Sequence, residues 1–211
     1  MTQGTGGPAP ARARDQDPWI AQIERELEES SRIKLEVKAL AREVLELARL
    51  MRGTLEAGGM VATCGNGGSA ADAQHLAAEL VGRFREDRRP LASIALTTNP
   101  SVVTAISNDW SFDDVFARQV EALLKSGDLL ILLSAGGNSP NVVRAAEAAR
   151  RLGVRTAALI GKGGGRLRQI VDLAIVAPSD ETPRIQEAHI TIGHIACGLV
   201  EQWVLAGGEG S

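Results

Sequence analysis

Gly59-Met60-Val61-Ala62-Thr63-Cys64-Gly65-Asn66-Gly67-Gly68-Ser69-Ala70-Ala71-Asp72-Ala73-Gln74-His75-Leu76-Ala77-Ala78-Glu79-Leu80-Val81-Gly82-Arg83 holds three local patterns in succession. Met60 to Cys64 is a short apolar run, Gly65 to Gly68 is too rich in glycine for a helix or a strand, and the alanine-rich segment from Ser69 has helical spacing. The stretch reads as strand, tight loop and helix. Such a loop gathers free backbone N–H groups and the positive end of a helix dipole at one point, a place for an anion. One turn further on, His75 and Glu79 lie four residues apart and share a helix face.

The same grammar recurs along the chain. Gly127-Asp128 introduces Leu129-Leu130-Ile131-Leu132-Leu133, an apolar run suited to a parallel strand buried on both faces. Ser134-Ala135-Gly136-Gly137-Asn138-Ser139 follows, then a helix from Pro140 to Leu152. A third unit runs through the strand Val154 to Ile160, the loop Gly161 to Gly165, a short helix Arg166 to Ile170 and the strand Leu173 to Ala177. Between the first two units, the charged loop Phe84 to Pro90 leads to a strand at Leu91 to Thr97. A short helix at Asn99 to Ile106, a turn at Asn108-Asp109 and a helix at Phe112 to Lys125 come next. A final helix spans about Thr182 to Leu205. Alternating strands and helices predict an α/β fold, a doubly wound parallel sheet whose ligands bind beyond the carboxyl ends of the strands. The loops at 65–68 and 134–139 both fall on that edge.

With 211 residues and 44% hydrophobic content, the chain has material for one domain with a full core plus a helical arm. The arm is predicted at residues 17–58. Asp17-Pro18 supplies a cap and a first-turn proline, and Ile20, Ile23, Leu27, Leu40, Val44, Leu47, Met51 and Leu55 recur at helical spacing, with a break near Ser30-Ser31. Such an arm before an α/β core suits packing on a neighbouring subunit. Residues 1–16, rich in Gly, Pro, Ala and Arg, are expected to be a disordered tail, and the α/β domain is placed at 59–206. Net charge is −3 and the isoelectric point is near 5.7, so no general attraction to nucleic acid or an anionic membrane is expected. Cys64 and Cys197 suit buried thiols in a reducing compartment. The absence of an 18-residue apolar run and of a signal-peptide core predicts a cytoplasmic protein.

Several motifs admit more than one reading. Gly65-Asn66-Gly67-Gly68-Ser69-Ala70 satisfies the Gly-x-Gly-x-x-Ala pattern of dinucleotide folds, but the second strand ends Ala95-Leu96-Thr97-Thr98 with no ribose-binding carboxylate, which disfavours a nucleotide cofactor. The loop also suits a plain tight turn, and His75/Glu79 an ordinary helix-supporting pair. In the last helix Gln186 and His194 lie about 80° apart around the axis and share a broad face, while His189 points elsewhere and reads as structural. Lys162 suits either solvent or an anion.

Taken together, Gly65 to Ser69, Asp72-Ala73-Gln74-His75 with Glu79-Leu80, Asn108-Asp109, Ser134 to Ser139 and Arg184-Ile185-Gln186-Glu187-x-His189 resemble the phosphoheptose isomerase branch of the sugar isomerase (SIS) domain family, from about residue 18 to residue 205. The resemblance implies a three-layer α/β/α domain of flavodoxin-like or Rossmann-like type with a five-stranded parallel sheet, assembled as a homotetramer with active sites between subunits. It implies isomerisation of sedoheptulose 7-phosphate to D-glycero-D-manno-heptose 7-phosphate. By the same resemblance, Glu79 is the general base and His194 the general acid. His75, Glu79, Gln186 and His194 are ligands of one zinc ion per subunit. Asn66, Gly67, Gly68, Glu79, Asn108, Asp109 and Gln186 meet the sugar, and the loop with Ser134, Ala135, Gly136 and Ser139 holds the phosphate. The residue types suit the reaction: a carboxylate can take the proton beside a carbonyl, a histidine can protonate the oxygen, and a mixed N/O donor set accepts a borderline metal.

The chain departs from that family in one loop. The usual Ser-Thr-Ser-Gly-Asn-Ser is here Ser134-Ala135-Gly136-Gly137-Asn138-Ser139, two hydroxyls short. A related long-chain sugar phosphate of secondary metabolism is therefore the alternative substrate. A non-catalytic SIS sensor, or an adaptor of the replication initiator, is the alternative from another class, disfavoured because acid and base are both present.

Overall fold

A computed structural model describes residues 17–208; the expected tail at 1–16 lies outside them. Five parallel strands, β1 (Val61–Gly65), β2 (Ser93–Ala95), β3 (Leu129–Ser134), β4 (Arg155–Ile160) and β5 (Leu173–Val176), form one sheet in the order β2-β1-β3-β4-β5. β1 and β3 register as Val61 on Leu129 through Gly65 on Leu133, which sets the two glycine loops side by side at the carboxyl edge. The order reverses between β1 and β3, the position at which doubly wound sheets bind ligands.

Each strand feeds its two side-chain faces into different cores. Val61, Leu129, Ile131, Leu133, Leu159 and Ile175 pack with α2 (Ala41–Glu56), α3 (Gly68–Val81) and α8 (Thr182–Gly208). Ala62, Cys64, Leu130, Leu132, Ala158 and Ile160 pack with α4 (Pro100–Asp109), α5 (Ala117–Leu123), α6 (Pro140–Arg151) and α7 (Leu167–Ile170). The result is the expected three-layer α/β/α arrangement. Both cysteines are buried free thiols.

The arm differs from its sequence reading in one respect. α1 (Pro18–Glu36) runs unbroken through Ser30, whose hydroxyl is buried and donates to Glu187 Oε2 at 2.5 Å. The interruption comes later, as a 3-10 turn at Val37–Leu40, after which α2 packs against both α8 and the sheet. β2 is also shorter than predicted, and Asn108 and Asp109 are the last residues of α4 rather than a turn. Phe112 to Lys125 divides into a 3-10 turn at Phe112–Asp114 and α5. By length and composition α8 is long and apolar enough to cross a membrane, although no unbroken apolar run marks it. Its Ile185, Ala188, Ile192, Ala196 and Val200 are closed into the core.

Candidate active site

The β1 loop is shaped by three glycines with different demands. A Cβ on Gly65 would lie 2.7 Å from Ser69 O, so β1 and α3 meet too closely for any side chain. Gly67, at φ 55° and ψ −122°, turns the chain into α3 in a conformation that L side chains rarely adopt. A Cβ on Gly68 would lie 2.5 Å from Gln186 Nε2, so the amide of α8 rests directly on the loop backbone. The neighbouring β3 loop is held by Ser134 Oγ, which accepts the Gly137 N–H at 3.2 Å and lies 3.4 Å from Ser139 Oγ. Gly137, at φ 66°, leaves no space for a Cβ against Gly164 O.

α3 and α8 pack face to face, and that contact joins residues 119 positions apart. His75 Nε2 lies 2.9 Å from His194 Nε2 and 3.0 Å from Glu79 Oε1. Ligand atoms of all three residues fall within 4.8 Å of one another. Two imidazole nitrogens at hydrogen-bond distance need one proton between them, so one ring donates and the other accepts. Burial pushes the His194 pKa down, a charge on His75 adds to that, Glu79 opposes it and Arg85 reinforces it. The Phe84 ring covers His194 from the side, with centroids 5.6 Å apart. Two nitrogens and a carboxylate oxygen, converging at a half-open position, form a donor set that a borderline divalent metal accepts.

The other residues singled out in the sequence take separate places. Gln186 lies against Gly68, beside the β1 loop. Ala135 and Gly136 are half-buried in the β3 loop. Asn108 and Asp109 are exposed at the end of α4, where Asn108 Nδ2 donates to Asp109 Oδ1 at 2.8 Å, and among the described residues no hydrogen bond ties them to the histidines. His189 is fully buried, apart from the other two histidines, and burial pushes its pKa down to about 4. Lys162 is exposed at φ 49°. Sequence reasoning passed over Asn141, whose side chain pairs with that of Asn66, and over Arg88 and Glu201, which hold the segment carrying Phe84. Asn141 follows Ser-Pro in the first turn of a helix, and Arg88 sits in a run of charges; neither position carries a motif of its own.

Comparison with known proteins bears on the family and the fold. The SIS domain family model matches residues 27–161. A phosphoheptose isomerase of Rhodospirillum rubrum is 54% identical over 158 residues, 75% of this chain and 84% of the relative. The structure of phosphoheptose isomerase GmhA from Neisseria gonorrhoeae superposes with a TM-score of 0.83 at 40% identity, covering 87% of this chain and 99% of that one. A phosphoheptose isomerase from Francisella tularensis superposes at 0.85 and 36% identity, covering 88% and 100%. Sequence and fold thus agree across most of the length of each relative, and the chain belongs to the phosphoheptose isomerase family of SIS-domain proteins.

Proposed function

We propose that the chain interconverts sedoheptulose 7-phosphate and D-glycero-D-manno-heptose 7-phosphate through an enediol, with Glu79 as base and His194 as acid. The observation that carries this reading is the convergence of His75, Glu79 and His194 from two helices, α3 and α8. Glu79 takes a proton from C1 of the ketose while His194 protonates the C2 oxygen. The enediol then receives a proton at C2 and loses one from the C1 hydroxyl, leaving the aldehyde. Asn66, Gly67 and Gly68, with Asn108, Asp109 and Gln186, are the proposed sugar contacts. The β3 loop offers Ser134, Ser139 and the backbone around Ala135 and Gly136, ahead of the positive end of α6, to the phosphate.

His75, Glu79 and His194, with Gln186 as fourth ligand, are the residues that would hold one zinc ion per subunit. Such an ion supplies Lewis-acid polarisation of the substrate carbonyl. No nucleotide cofactor is needed for an internal proton transfer of this kind. The reading further divides the chain into an arm at 17–58 and a SIS domain at 59–206, in a cytoplasmic homotetramer with no nucleic-acid or membrane partner. Trp19, Ile20, Ile23 and Leu27, all exposed on α1 in the isolated chain, support assembly through the arm. The two missing hydroxyls in the β3 loop keep a related long-chain sugar phosphate as the second substrate candidate.

Proton NMR of sedoheptulose 7-phosphate with the protein in D2O, with added zinc and again with a chelator, tests the reading. Aldose carrying deuterium at C2, absent with Glu79→Gln, is the expected result. Neither product nor exchange from the wild-type protein would overturn it, and would move attention to other sugar phosphates.

A further inference from the structure

Asn66 directly follows β1 and Asn141 lies in the first turn of α6, 75 residues on, and their carboxamides face one another. Asn66 Nδ2 donates to Asn141 Oδ1 at 2.8 Å, and Asn141 Nδ2 donates to Asn66 Oδ1 at 2.9 Å. Exchanging oxygen for nitrogen on both side chains preserves the pattern, so the pair does not depend on how the amides are assigned. Asn141 is 2% exposed. A carboxamide so deeply buried needs partners at both ends, and Asn66 meets both. Each amide carries two N–H groups, so Asn66 keeps one uncommitted hydrogen, directed away from Asn141.

The pair also joins two loops. β1 and β3 are neighbours in the sheet, and the Asn66–Asn141 bonds tie the β1 loop to the start of the helix that follows the β3 loop. On its other side the β3 loop is tied to the segment after β4: Leu167 N–H donates to Gly137 O at 3.0 Å, and Arg166 N–H donates to Asn138 Oδ1 at 2.9 Å. The loop that lacks two hydroxyls is therefore braced from both directions.

We propose that Asn141 is a positioning residue for the isomerase site: it locks the Asn66 carboxamide so that its one free N–H is presented as a donor to a sugar oxygen, and it sets the β1 loop at a fixed spacing from the β3 loop. This rests on the sugar-phosphate reading of the site. Asn141 itself touches no substrate.

A double-mutant cycle tests the assignment. Asn66→Ala, Asn141→Ala and the double variant are assayed on sedoheptulose 7-phosphate, each well below its own melting midpoint. Asn141→Ala is expected to lower kcat/KM about tenfold in the wild-type background and less than about twofold in the Asn66→Ala background. Equal losses in both backgrounds would overturn the proposal. So would a lowered melting midpoint with kcat/KM unchanged, the mark of a purely structural role. A crystal structure of Asn141→Ala is the second arm and needs no turnover: Asn66 is expected to leave its present rotamer, and an unmoved Asn66 overturns the proposal. Wild-type protein silent on the substrate sinks the substrate reading, and the crystal structure then decides the positioning role on its own.

Discussion

Arg88 and Glu201 form an ion pair, Nε to Oε1 3.6 Å, in which the two side chains are 2% and 4% exposed. The guanidinium donates to the carbonyls of Glu79, Leu80, Gly82 and Arg89 at 2.6 to 2.9 Å and so finishes the carboxyl end of α3. The carboxylate accepts the backbone N–H groups of Phe84, Arg85 and Glu86. Burial works to raise the Glu201 pKa, but those donors and Arg88 hold it below the ordinary carboxylate value. Arg88 thus fixes the backbone of Glu79, and Glu201 fixes the segment whose Phe84 covers His194.

Removing one partner leaves the other charge buried and unpaired. Glu201→Ala is expected to cost about 3 to 5 kcal/mol of folding stability, and Arg88→Met a similar amount. The two losses are expected to be strongly non-additive in the double variant. Urea denaturation of the four proteins measures the coupling.

The β3 loop has room for one of its missing hydroxyls. A Cβ on Gly136 meets nothing within 4 Å, and its φ lies outside the left-handed region. Gly136→Ser is expected to tighten inorganic phosphate roughly tenfold by adding a charge-assisted hydrogen bond. Ala135 packs against the core and has less freedom, so Ala135→Thr is expected to add less. Calorimetric titration with phosphate measures both; unchanged affinity in Gly136→Ser would rule out hydroxyl number as what limits phosphate binding at this loop.

Acid stability is expected to depend on His189. Folding holds this ring neutral, with a pKa of about 4 against an ordinary 6.5. The unfolded chain therefore binds a proton first as pH falls. The stabilisation is complete above pH 6.5 and is lost on going down toward 4, by about 2.5 kcal/mol at pH 4.5. In His189→Gln the drop in unfolding free energy between pH 7 and 4.5 is expected to be smaller by about that amount. Parallel slopes in urea titrations of the two proteins would rule the group out.

The proposed assembly through α1 is open to a size measurement. Ile23 and Leu27 are 58% and 66% exposed in the isolated chain and lie four residues apart, on one helix face. Placing Glu at both is expected to lower the mass seen by light scattering while leaving the circular dichroism spectrum of the fold unchanged. An unaltered mass would place the interface elsewhere on the chain.

Much of this molecule was legible in local pattern. Apolar runs such as Leu129 to Leu133 specify strands buried on both faces, and the glycines at 65–68 specify a turn, because these depend on residues close together in the chain. His75 and Glu79 share a face by helical geometry alone. Other features depend on packing between distant segments. The arm runs unbroken through Ser30, whose hydroxyl finds a partner in Glu187 of α8, and its break falls at Val37–Leu40. Asn108 and Asp109 end a helix that spacing alone stopped three residues early. The distance from His75 to His194, the Asn66–Asn141 pair and the Arg88–Glu201 pair each join residues 75 or more positions apart, and periodicity carries no information about such separations. The sequence by itself determined the elements, their order along the chain and the chemical types at the edge of the sheet; tertiary packing alone decided which side chains meet, because a hydrogen bond or a ligand set needs atoms within about 3 Å, a precision that only the packed layers impose.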